Sequence, residues 1–97
     1  MAYDFGTIDA TLAAAVGDEP ALIAELRSAF VDSAHRALSA MEAASSPGAW
    51  QQSGWRLKGL AASFGALDLM ALAGEAADAQ VGDAAVLHRL HEAVGRL

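Results

Sequence analysis

Apolar residues recur at gaps of three and four along most of the chain, the spacing that lines one face of an α-helix. Leu22, Ile23, Leu26, Phe30, Ala34, Leu38 and Met41 form the longest such stripe, and Trp50, Leu57, Leu60, Ala61 and Phe64 form the next. Leu67, Leu69, Leu72, Ala73 and Ala76 make a third, and Leu87, Leu90, Val94 and Leu97 a fourth. A shorter run of Ile8, Leu12 and Val16 precedes them. Turn-forming residues separate the stripes at Gly17-Asp18, Ser45 to Gly48 (SSPG), Gly65 and Gly82-Asp83.

These signals set the element boundaries. Thr7 is expected to cap a short first helix that Gly17 ends. Asp18 is expected to cap the second, with Glu19 and Pro20 in its first turn. Running to about Ala44, that helix would be roughly 40 Å long at ~1.5 Å per residue. Ser46 and Pro47 open the third helix, Gly65 stops it, and Asp83 caps the last. Short connections between amphipathic helices predict antiparallel neighbours. The expected fold is all-α: an up-down-up-down antiparallel four-helix bundle with a short N-terminal helix, one domain over residues 1–97.

Composition narrows the function. Hydrophobic residues make up 55% of the chain but aromatics only 6%, which favours closely packed helices over a sheet. The net charge of −6 argues against nucleic acid or an anionic membrane as partner. There is no cysteine, so disulfides and thiolate metal sites are excluded. The segment MAYDFGTIDA lacks the basic and apolar regions of a secretory signal. The most apolar window, Gly59 to Gly74, is shorter than a bilayer span and contains Asp68. A soluble, cytoplasmic domain is expected.

The two tryptophans of the third helix have opposite expected fates. Trp50 belongs to the buried stripe, whereas Trp55 falls nearly opposite its centre, among Gln51, Gln52, Lys58, Gly59 and Ala62. A lone exposed apolar residue is ordinary on a protein surface. A large aromatic ringed by small and polar residues also fits a contact surface. Both readings stand on this pattern alone. Gly59 poses a related question, because a mid-helix glycine costs ~1 kcal/mol relative to alanine and invites close approach of another group.

The stretch WRLKGLAASFGALDL, Trp55 to Leu69, resembles the central motif of histidine-phosphotransfer (HPt) domains. That motif is a histidine, any residue, Leu-Lys-Gly, five residues, and then Gly-Ala. Leu57, Lys58, Gly59, Gly65 and Ala66 match it. The likeness extends to GDEPALIAELRSAF (Gly17 to Phe30) and LAGEAADAQVGDAAVLHRLHEAV (Leu72 to Val94), and so covers nearly the whole chain. It implies a four-helix bundle in a two-component phosphorelay, docking the receiver domain of a response regulator. Lys58 would face phosphoryl oxygens and Gly59 would give the receiver room.

The chain departs from the family at the phospho-acceptor, where Trp55 stands in place of histidine. Imidazole attacks phosphorus through a free in-plane lone pair, whereas the indole nitrogen is a donor only. Phosphoryl transfer rests mostly on positioning and charge, but it still needs an acceptor atom. His35 lies on the polar face of the second helix with Asp32, Arg36 and Ser39. His88 and His91, beside Glu92, have a spacing that a metal would accept, but none of the three histidines has the Leu-Lys-Gly setting.

The expected function is therefore a pseudo-phosphotransferase: a receiver-binding signalling module with no catalysis, cofactor or metal. Its contact residues would be Trp55, Lys58, Gly59 and Ala62, with Gln51, Gln52 and Arg56 as a polar rim and Gln80 outside the face. Two alternatives remain. One is a scaffold that homodimerises through the Trp55 face. The other is a phosphotransfer protein carrying an acceptor-site replacement, since His and Trp codons differ at every base and one nucleotide change cannot interconvert them.

Overall fold

The structure is a computed structural model that describes residues 4–17 and 19–97, with side chains from Ile8 onward. The described residues form five helices: α1 (Asp4–Val16), α2 (Pro20–Ala43), α3 (Pro47–Ser63), α4 (Leu67–Ala77) and α5 (Ala84–Gly95). No strand occurs among the described residues. α2 packs on α3, α3 on α4, α4 on α5 and α5 on α2, and α1 rests on α2 and α4.

The helix ends follow local chemistry, with two differences from expectation. α1 begins at Asp4, so Thr7 lies inside it and does not cap it. Asp18, the expected cap of α2, lies outside the described residues. Glu19 holds the cap position without a side-chain cap bond, and Pro20 follows at the first helical position, where its missing N–H is not needed. The 24 residues of α2 span about 36 Å, close to expectation.

At the start of α3 the Ser46 hydroxyl accepts from the Ala49 N–H at 3.2 Å, and at α5 the Asp83 carboxylate accepts from the Val86 N–H at 3.1 Å. α3 stops in a left-handed turn, with Gly65 at φ 74. There the Ala66 N–H donates to the Ala61 carbonyl at 2.9 Å and the Gly65 N–H to the Ala62 carbonyl at 3.3 Å. This pairing satisfies end carbonyls and reverses the chain at once, so α4 starts at Leu67.

Most stripe residues reach the core, among them Phe30, Ala34, Leu38, Met41, Trp50, Leu57, Ala61, Leu69, Leu90 and Val94. Two do not. Leu22 falls about 100° from the centre of the Phe30–Met41 face, at 100° per residue, and is open to solvent. Leu67 stands two residues from inward-facing Leu69, hence on the opposite side of α4, and is 52% exposed.

Specific contacts set how the helices meet. Phe30 of α2 stacks on Phe64 at the end of α3, with ring centroids 4.7 Å apart. The Trp50 indole N–H donates to the Ala76 carbonyl of α4 at 2.8 Å, which satisfies its one donor inside the core. Gly54 lets α3 and α4 approach: a Cβ there would sit 2.9 Å from Ala77 Cβ and 3.0 Å from Ala77 Cα. Arg27 bonds Asp9 of α1 at 2.7 Å and the Leu97 carbonyl at 2.8 Å, tying three segments together. His91 meets Glu42 of α2 at 2.9 Å, and Arg89 meets Glu75 of α4 at 3.5 Å.

Candidate docking face

The inward positions of α3 dictate what its outer side carries. Trp50, Gly54, Leu57 and Ala61, at gaps of four, three and four, are buried against α2 and α4. The opposite side of the helix must then face solvent, and Trp55 is 55% exposed at its centre, against 1% for Trp50. Gln52, Arg56, Lys58, Gly59 and Ala62 are exposed around it, and Gln51 is half-buried. All seven expected contact residues thus lie on one surface of one helix.

Two of them have environments the pattern did not reveal. The Lys58 stem runs along α4, with Cδ and Nζ each 3.7 Å from where a Gly74 Cβ would be. The missing side chain at Gly74 leaves the lane in which Lys58 lies. A Cβ at Gly59 would meet nothing within 4 Å, so no packing inside the chain offsets the helical cost of that glycine. Within the chain, the close approach of helices is at Gly54, on the buried side. Its position was legible, because Gly54 lies four residues after Trp50 and three before Leu57, on the stripe itself.

Electrostatics set this face apart. Residues 43–67 contain no aspartate or glutamate, so all 12 carboxylates of the chain lie elsewhere. With Arg56 and Lys58 and no acid, α3 carries two positive charges on a molecule whose net charge is −6. Such a patch favours an acidic partner surface and steers its approach.

No family model, curated protein or solved structure matches the chain. The face must therefore be understood from its own geometry and charge.

Beside it opens a cleft of about 550 Å³ between the start of α3 and the α4–α5 turn. Pro47, Gly48, Trp50 and Gln51 form one wall, and Ala77, Asp78, Ala79, Gln80 and Val81 the other. Gln80, expected outside the face, thus shares a cleft with Gln51. Gly48 could have been found by spacing, since it precedes Trp55 by seven residues and shares its side of α3. Residues 78–81 reach the site only through tertiary packing, for which no local pattern exists.

The three histidines have different surroundings. His35 is exposed on α2, His91 pairs with Glu42 across to α2, and His88 lies 3.7 Å from Glu92. Among the described residues no group of three His, Cys, Asp or Glu side chains converges as a metal site. No helix among them is long and apolar enough to cross a membrane.

Proposed function

We propose that the chain is an HPt-like cytoplasmic signalling module that docks a receiver domain through the Trp55 face and transfers no phosphoryl group. The observation that carries this reading is a large exposed indole at the centre of a carboxylate-free, basic helix face, beside a glycine with open space above it. A receiver's phosphorylation site is rich in carboxylates, which is the chemistry that Arg56 and Lys58 would attract. Trp55 occupies the acceptor position and, as an indole, offers no lone pair for phosphorus.

The proposed architecture is the up-down-up-down antiparallel four-helix bundle, with α1 laid across it. Its support lies in residue pairing. Phe30 meets Phe64 while Met41 comes near Gly54, so α3 descends as α2 rises. Arg89 meets Glu75 while Arg96 and Asp68 line one groove, the same relation for α4 and α5.

Amide chemical shifts test the docking surface. Adding a cognate receiver domain is expected to move resonances between Gly48 and Ala62 and to leave the exposed side of α5, around His88, unmoved. Changes confined to α5 would contradict the reading. Lys58→Ala is expected to weaken binding by less than tenfold and to flatten its salt dependence, because it removes a screened charge rather than packed area. His88→Ala, on the helix that packs against α2 and α4 but not α3, is the control.

A further inference from the structure

We propose that Gly74 of α4 is a positioning residue for Lys58: its missing side chain leaves a lane that holds the lysine stem against α4 and presents the ammonium, unpaired, to an acidic partner. The proposal rests on receiver docking through the Trp55 face and assigns to that docking a residue from a second helix. A Cβ at Gly74 would stand 3.7 Å from Lys58 Cδ, 3.8 Å from Cε and 3.7 Å from Nζ. Beyond its own helix turn no atom is nearer. An end-on stem would place these successive atoms at steadily growing distances. Nearly equal distances mean that the stem lies side-on over the bare Cα, its methylenes against the helix.

The lane supplies no counter-ion. Lys58 is exposed and forms no ion pair among the described residues. Glu75, the carboxylate next to the lane, is turned to Arg89 of α5 at 3.5 Å, and α3 has no acid of its own. A freely moving lysine stem must give up rotamer freedom when it meets a partner, and one already lying in a lane gives up less. Gly74 thus supplies order where Lys58 supplies charge. A branched side chain at position 74 would fill the lane and turn the ammonium out to solvent. A methyl group would not, because 3.7 Å is ordinary van der Waals contact.

Lys58 is the only lysine of the chain, so isotope-labelled lysine gives a single Cε signal. In the free protein its Hε protons should show a nuclear Overhauser effect to the Gly74 Hα protons. In Gly74→Leu the Cε should relax as a freely moving lysine does, while circular dichroism shows the parent's helix content. In Gly74→Ala the parent's relaxation should persist. Against the receiver domain that shifts the Gly48–Ala62 amides, Gly74→Leu should raise the dissociation constant about two- to fivefold, within the loss expected for Lys58→Ala. In a Lys58→Ala background it should add nothing, since both changes remove one interaction. A Lys58 stem without contact to Gly74 overturns the proposal and leaves docking standing. So does a Gly74→Leu chain that binds like the parent, or one that loses as much affinity without Lys58 as with it. If no receiver binds the parent, docking itself fails, and the Overhauser effect alone decides whether Gly74 holds Lys58.

Discussion

Trp55→His is expected to take up phosphate from a phosphorylated receiver domain, where the parent chain takes up none. The substitution supplies the one missing component, an in-plane lone pair at the centre of the face. Around it Lys58 already holds a defined course along Gly74, and Gly59 leaves open space for a receiver. Because Trp55 is more than half exposed, the change should alter stability by no more than about 0.5 kcal/mol. Acid-labile phosphate mapped to position 55, and absent from the parent, is the expected result. Stoichiometric phosphate on His35, His88 or His91 of the parent would overturn the pseudo-phosphotransferase reading. Failure of a folded Trp55→His variant to accept phosphate from a receiver that binds it would show that the rest of the face no longer supports the reaction.

Gly54→Val is expected to be the most damaging single change in α3, at about 3 kcal/mol, in the upper range for overpacking a core. The new Cβ would fall 2.9 Å from the Ala77 side chain and 3.0 Å from the Ala77 backbone, and a helix backbone cannot rotate aside. α3 and α4 would have to separate, straining the Trp50–Ala76 hydrogen bond one turn away. At ~1.4 kcal/mol per decade the folding constant drops roughly 100-fold. Gly59→Ala gives the contrast. Its Cβ meets nothing, so the better helix former should gain up to ~1 kcal/mol. Urea midpoints of the two variants should shift in opposite directions. A Gly54→Val midpoint equal to the parent's would mean that the α3–α4 contact is loose.

The two glycines show where sequence reasoning reaches its limit. Hydrophobic spacing separated Trp50 from Trp55 correctly, because helical periodicity alone sets which side of α3 each occupies. It also placed Ser46, Gly65 and Asp83 at helix ends, since cap and turn chemistry is local. Thr7 failed as a cap because the helix starts earlier, at Asp4, and a competent cap residue does not force a start. Leu22 and Leu67 were placed in their stripes by apolar spacing but lie off the buried side of their helices. The cleft was invisible because Asp78 to Val81 are brought to α3 by packing between helices. All seven face residues were legible, and the second wall beside them was not.

Calorimetric titration of a cognate receiver domain with the parent and with Trp55→Ala tests receiver docking most directly. Tryptophans at interface centres typically cost ~2 kcal/mol or more when truncated, provided the contact is desolvated. Trp55→Ala should therefore weaken binding roughly 10- to 30-fold at ~1.4 kcal/mol per decade, while His88→Ala binds like the parent. Equal affinities for the parent and a folded Trp55→Ala variant would contradict docking through this face.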